Sequence, residues 1–223
     1  MTSSLIASAK SDLRKAALAR RDALPAAERM AAAEAVAARA FPVAVGSDAI
    51  VSGFMPLNSE ISPLPLMRKL SDAGARLALP VVAGRGLPLS MRTYAFGDAL
   101  VKGVWGIRVP PPEAPEVQPD VLLVPLLAFD RNGNRLGYGA GYYDMTIAAL
   151  RAKKPVVAVA IPSSRRSTPF CTATISTWVT IPNPSPKIAR PMPVASCDGL
   201  PASTASRPRA TLMSASPATG NRL

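Results

Sequence analysis

The sequence predicts an α/β protein built on a mainly parallel central sheet, followed by a largely disordered C-terminal tail. Three observations carry this. A strand, a helix and a second strand follow one another between residues 49 and 82. A long apolar run, Val121 to Phe129, leads through a glycine-rich loop into a helix-like run, Met145 to Ala152, and a further apolar strand, Pro155 to Ile161. From Pro162 onward Ser, Thr, Pro, Ala and Arg dominate without helical or strand periodicity. The boundaries drawn are therefore an α/β domain over 1–161 and a basic tail over 162–223.

The order of elements begins with a helix over residues 3–22, rich in Ala, Leu, Lys and Arg, with Leu13, Ala17 and Arg20/Arg21 at helical spacing. Lys10 and Arg14 are four residues apart and share a face. They read either as a solvated basic face or as a pair of phosphate-binding cations. Pro25 suits a first helical position, and Met30, Ala33, Ala37 and Phe41 mark one face of a second helix. Residues 49–54 (AIVSGF) read as a buried strand, and the loop after it holds Met55 and Glu60. Ser62 and Pro63 open a helix that Gly74 ends, and Arg76 to Val82 forms the next strand. A strand, helix and strand at this spacing make a right-handed parallel crossover. In such sheets ligands sit beyond the carboxyl ends of the strands, where Met55, Glu60 and the glycine-rich loop all fall.

Leu87 to Tyr94 and Val104 to Val109 are weaker strands, with Trp105 read as a packing residue and stacking on a ligand as the second option. Five prolines between 110 and 119 make an extended connector. Val121 to Phe129 is apolar on both faces and so central. Pro125 inside it requires a bulge or a sheet-edge location, because proline lacks an N–H for the ladder.

Composition sets limits. The chain has 223 residues, 48% of them hydrophobic, enough for one well-filled domain. The formal charge of +12 favours anionic partners. With no histidine, a His-based triad or His metal site is excluded. Two cysteines, Cys171 and Cys197, are too few for a disulfide framework. The N-terminus lacks a signal-peptide core, no run suits a membrane span, and the expected compartment is the cytoplasm. Asp198 is the only acid of the tail. The tail's composition cannot offset chain entropy, and it lacks the Arg/aromatic interleaving of a nucleic-acid binder.

The chemistry concentrates in residues 130–144, DRNGNRLGYGAGYYD. Gly137, Gly139 and Gly141 alternate, and glycine lets a ligand approach the main chain closely. A glycine-rich turn into a helix aims N–H groups at bound phosphate. Its spacing matches neither the dinucleotide fingerprint nor the Walker loop. Around the glycines stand Arg135, Asp130, Asn132, Asn134, Tyr138, Tyr142, Tyr143 and Asp144.

The run R-L-G-x-G-x-G-Y-Y-D after an apolar strand closely resembles the 5-formyltetrahydrofolate cyclo-ligase family, also called 5,10-methenyltetrahydrofolate synthetases. Further pieces occur in the family's order: K-x-x-x-R as KSDLR at 10–14, FMPLNSE ending at Glu60, LALPVV, and WGIRVP. The resemblance covers roughly residues 8–161. It implies a three-layer α/β/α fold and an ATP-dependent enzyme using Mg²⁺. That enzyme converts 5-formyltetrahydrofolate to 5,10-methenyltetrahydrofolate by phosphorylating the formyl oxygen, with ring closure by N10 and release of ADP and phosphate.

Carried over position by position, the resemblance assigns ATP binding to Lys10, Ser11, Asp12, Leu13 and Arg14, and to Arg135, Leu136, Gly137, Tyr138, Gly139, Ala140, Gly141, Tyr142 and Tyr143. Folate binding falls to Met55, Glu60, Tyr138, Gly139, Ala140, Gly141 and Tyr142, Mg²⁺ to Asp144, and catalysis to Arg135 and Tyr143. The implied partners are the folate substrate and ATP, with no membrane or specific nucleic acid, and a monomer is expected. After Pro162 the family's F-x-x-Q segment, V-P-x-x-x-x-D segment and acidic T-E stretch, including a second Asp for Mg²⁺, are not found. A frameshift near codon 161 is the corresponding expectation. Three other readings stand beside the enzyme: an inactive, C-terminally altered member of the family, a basic-tailed binding protein, and a relative acting on another substrate.

Overall fold

A computed structural model describes residues 2–129, 135–162 and 179–181. Asp130, Asn132, Asn134, Cys171, Cys197 and Asp198 lie outside the described residues, as does nearly all of the expected tail. The chain divides into two units, Met1–Pro186 and Lys187–Leu223, and the second lies wholly outside them.

The first unit opens with α1 (Thr2–Asp22) and α2 (Ala26–Ala38). Then come β1 (Ile50–Ser52), α3 (Leu64–Asp72), β2 (Arg76–Val82) and β3 (Leu89–Tyr94). A small antiparallel pair, β4 (Val101–Lys102) and β5 (Arg108–Val109), brackets a 3₁₀ turn at Val104–Gly106. β6 (Val121–Leu126), β7 (Ala128–Phe129) and β8 (Arg135–Leu136) precede α4 (Tyr142–Arg151). The series ends with β9 (Val157–Pro162) and β10 (Val179–Ile181).

Six strands form the main sheet in the order β10-β9-β6-β1-β2-β3. The inner four are parallel, and β3 and β10 run antiparallel at the two edges. Successive side chains of a strand point to opposite faces, and both faces here are covered. Val51, Leu77, Leu79, Val121, Leu123 and Val159 pack with α2 and α3, through Ala33, Val36, Leu66, Met67 and Leu70. Ala78, Leu122, Val124 and Ala158 pack on the other side with Ile147 and Leu150 of α4. This double coverage is what makes the strands apolar throughout, and it gives the three-layer α/β/α arrangement.

Four local expectations are revised. Met30, expected on the buried face of α2, is 68% exposed, because the helix turns Ala32, Ala33, Val36 and Ala37 inward. Phe41 follows the end of that helix and packs against the core from the connecting segment. Trp105, read as a packing residue, is 61% exposed at the tip of the β4–β5 pair, where a 3₁₀ turn replaces the first half of the expected strand. Finally, within the segment read as a tail, Val179–Ile181 forms a strand paired with β9.

Pro125 takes an edge-like position inside a central strand. β1 pairs with β6 only at Val121 and Leu122, so beyond that point β6 has a partner on one side alone, β9. Asp120 anchors the start of this region: its carboxylate accepts from the Ile50 N–H and from Lys154, both at 2.8 Å. Burial alone would push this carboxyl up, but those two partners outweigh it and hold it below its ordinary value.

Candidate functional site

Three of the inner strands, β1, β2 and β6, bring residues at or beyond their carboxyl ends to one cavity of about 780 Å³. β1 delivers Phe54, Met55, Leu57 and Glu60 through the loop after it. β2 delivers Leu79 to Val82, and β6 delivers Pro125. From α1 come Lys10 and Arg14, and the glycine-rich loop contributes Arg135 to Asp144 without a gap. The open-sheet geometry accounts for this convergence, since parallel strands end together while their crossover helices lie on the faces.

α4 begins at Tyr142, three residues earlier than the run Met145 to Ala152 suggested, so Tyr142, Tyr143 and Asp144 form its first turn. Gly141 precedes it with φ +73° and ψ 5°, a left-handed backbone, and Gly139 has φ +108°. Helix-terminal N–H groups and an acidic first turn coexist here. Asp144 is 72% exposed in its side chain and pairs at 2.5 Å with Arg135, whose side chain is only 8% exposed. Arg14 donates from Nε to the carbonyl of Gly137 at 2.9 Å, tying α1 to the loop.

A second set of contacts lies deeper. Tyr138 donates its hydroxyl to Glu60 Oε1 at 2.5 Å. Glu60 Oε2 accepts from the Leu57 N–H at 2.8 Å. Behind them Arg21, 2% exposed, donates to Ser59 Oγ at 2.9 Å and to the Tyr138 hydroxyl, and stands 3.9 Å from Glu60 Oε1. Its guanidinium also lies over the Tyr138 ring, 5.5 Å from the centroid. Burial and the nearby Glu60 charge raise the Tyr138 hydroxyl above its ordinary value, and the same two causes raise Tyr143. Both phenols are therefore neutral hydrogen-bonding groups near neutral pH.

Trp105 closes one side, meeting Tyr142 edge-to-face at 6.0 Å. A neighbouring depression of about 700 Å³ shares this Trp105/Tyr142 wall and reaches Arg85.

Of the sequence-predicted site residues, Lys10, Arg14, Met55, Glu60 and the whole of Arg135 to Asp144 line the one cavity. Ser11, Asp12 and Leu13 do not. A helix turns about 100° per residue, so these three rotate away while Lys10 and Arg14 stay within about 40° of one another. The sequence reading missed Arg21, Ser59 and the apolar wall of Phe54, Leu79, Val81 and Val109. A signal for Arg21 existed: it lies seven residues past Arg14, nearly two turns along the same face.

Among the described residues no group of three His, Cys, Asp or Glu side chains is placed to hold a metal ion. A cation that takes one carboxylate together with ligand phosphates and water fits what is present, with Asp144 as the oxygen donor. Also among the described residues, no helix is long and apolar enough to cross a membrane.

The sequence model of the 5-formyltetrahydrofolate cyclo-ligase family matches residues 6–164. A 5-formyltetrahydrofolate cyclo-ligase of Mycolicibacterium smegmatis is 40% identical over 158 residues, covering 67% of this chain and 80% of that protein. One from Escherichia coli K12 is 38% identical over 105 residues, covering 44% of this chain and 56% of the relative. Among solved structures, the 5,10-methenyltetrahydrofolate synthetase of Aquifex aeolicus is 31% identical with a TM-score of 0.55, covering 68% of this chain and 76% of that one. A Mycoplasma pneumoniae 5,10-methenyltetrahydrofolate synthetase shares the fold, at 22% identity and a TM-score of 0.50, with 66% and 81% covered.

Proposed function

The chain belongs to the 5-formyltetrahydrofolate cyclo-ligase family, and from this premise we propose that it converts 5-formyltetrahydrofolate to 5,10-methenyltetrahydrofolate at the expense of ATP. The observation that carries the proposal is the convergence of these residues on the cavity of about 780 Å³. Its apolar wall suits a flat heteroaromatic substrate, and its glycine-rich rim and the cations Lys10, Arg14 and Arg135 suit a nucleoside triphosphate.

The reaction needs activation because a formyl oxygen on nitrogen is a poor leaving group. Phosphoryl transfer from ATP to that oxygen releases ADP and makes it a good one. N10 of the same substrate then bonds to the formyl carbon, the C–O bond breaks, phosphate departs, and the N10 proton is lost. Such transfer relies on positioning and charge neutralisation rather than on a protein nucleophile, so the absence of histidine from the sequence is no obstacle. The loop N–H groups with Lys10, Arg14 and Arg135 neutralise the phosphates. Met55, Glu60 and Tyr138 hold the folate against the loop, and Tyr143 presents a neutral hydroxyl beside Arg135.

Mg²⁺ with ATP would be held at Asp144, and it supplies neutralisation of the phosphate oxygens. With a cation held at Asp144, Arg135, which pairs with Asp144 in this structure, would be available to a phosphate oxygen. The enzyme acts as a cytoplasmic monomer, with no membrane or specific nucleic acid among its partners.

The family match ends at residue 164, where the composition also changes. We attribute the segment beyond to a shifted reading frame, and resequencing the gene tests this. A family-like continuation in another frame is expected, and its absence refutes the idea.

The test of function is growth of the methenyl product's absorbance band with folinate, ATP and Mg²⁺. Arg135→Met and Asp144→Asn are each expected to lower the rate by at least about 10²-fold. A folded protein that binds ATP but gives no product would point instead to an inactive, C-terminally altered member of the family.

A further inference from the structure

We propose that Arg21 is a positioning residue for the folate end of this site, locking Tyr138 of the glycine-rich loop to Glu60 of the loop after β1. The inference rests on the folate-ligase reading, because it takes Glu60 and Tyr138 to be substrate contacts. Arg21 does not line the cavity. It stands behind the two residues that do.

The geometry is that of a clamp. One guanidinium, nearly sealed from solvent, reaches three residues on two loops: Nη1 donates to the Tyr138 hydroxyl, Nε donates to Ser59 Oγ at 2.9 Å, and Nη1 lies 3.9 Å from Glu60. Ser59 passes its own hydrogen to the Asp22 carboxylate. The Tyr138 oxygen thus accepts from Arg21 and donates to Glu60, and this order of donors fixes its proton on the Glu60 side. Each Glu60 oxygen already has one protein partner, Tyr138 on Oε1 and the Leu57 N–H on Oε2. The carboxylate is therefore fixed in orientation while keeping lone pairs for a ligand N–H donor.

Arginine suits the task where lysine does not. A planar fork with fixed donor directions can serve a hydroxyl, a phenol and a carboxylate from one buried position. The side chain reaches this point because α1 presents Ala17 and Arg21 on the same inward face. The loop that must stay open for ATP is thereby held, by an interaction outside the cavity, in the arrangement that also completes the folate surface.

The experiment is equilibrium binding of folinate without ATP, so that no turnover intervenes, for the full chain and for Arg21→Met, Arg21→Lys, Tyr138→Phe and Arg21→Met/Tyr138→Phe. ATP binding and thermal midpoint are measured on each. Arg21→Met is expected to weaken folinate binding about tenfold or more and ATP binding less, with partial recovery in Arg21→Lys. The double variant should bind folinate more tightly than the product of the two single effects predicts, since Arg21 acts through the Tyr138 hydroxyl. Multiplying effects, or a lowered midpoint with folinate affinity unchanged, would overturn the proposal. If Arg21→Met does not fold, Ser59→Ala and Arg21→Lys carry the same comparison. Failure of the unaltered chain to bind folinate would refute the folate reading itself, a result separate from an unchanged Kd in the variants.

Discussion

Replacing the loop glycines one at a time by alanine should separate backbone strain from ligand approach. At Gly139 the backbone has φ +108°, which an L side chain rarely adopts. A Cβ added there would meet nothing closer than Arg14 Cζ at 3.5 Å, an ordinary contact, so the cost comes from the backbone and not from a clash. That cost is about 1–3 kcal/mol. Gly137 differs: its φ lies outside the positive region, and an added Cβ would come no closer than 3.4 Å to Arg135 Nη1. Gly137→Ala should therefore change stability by no more than about 0.5 kcal/mol, since alanine also restricts the unfolded chain. The assay is urea unfolding followed by far-ultraviolet circular dichroism. With a urea slope of about 2 kcal/mol/M, a 2 kcal/mol cost moves the midpoint down by about 1 M for Gly139→Ala. For Gly137→Ala the midpoint should hold while ATP affinity falls, because a methyl group at the rim keeps phosphate off the main chain. Equal destabilisation by both substitutions would refute the assignment of strain to Gly139.

Two further outcomes follow from the packing and the charges. Gly53→Ala would drive a Cβ to 2.1 Å from Sδ of the fully buried Met67, and should cost about 1–3 kcal/mol by overpacking. Combined with Met67→Ala the cost should fall below the sum of the single changes, a double-mutant cycle read from unfolding midpoints. Asp120 is held below its unfolded value of 3.8, so its stabilising contribution is present above that pH and is lost as pH falls through the lower folded value. Asp120→Asn should therefore be less stable than the parent at pH 6, by under about 1 kcal/mol because the carboxylate is 45% exposed, and the gap should narrow toward pH 3.

Much of the fold was legible in the sequence because it depends on local pattern. Apolar runs at 76–82 and 121–126 gave strands covered on both faces, and the helix between the strands at 49–54 and 76–82 implied a parallel crossover. The rule that ligands gather at carboxyl strand ends put Met55, Glu60 and the glycine-rich loop in one place before any coordinates did. The Pro125 difficulty was legible, but its solution is neither a bulge nor a sheet edge: β6 is central, and the short β1 leaves one side of it unpaired beyond Leu122.

What the tertiary structure alone decided depends on contacts between residues far apart in the chain. Helix propensity does not distinguish buried Arg21 from half-exposed Arg20, and the only local hint is the seven-residue spacing from Arg14. Arg21 is buried because Ser59, Glu60 and Tyr138, up to 117 positions away, converge on it. Trp105 looked like core because an indole usually packs, yet the β4–β5 pair carries it to the cavity mouth. The inward face of α2 was likewise set by what lies beneath it, because a side chain's surroundings belong to its neighbours in space, and an alanine-rich helix offers little pattern to orient it. The sequence determined the family, the layers and the loop that carries the chemistry. The structure decided which cations face the cavity, which one stands behind it, and which glycine bears the strain, because each of those depends on where the chain brings distant residues together.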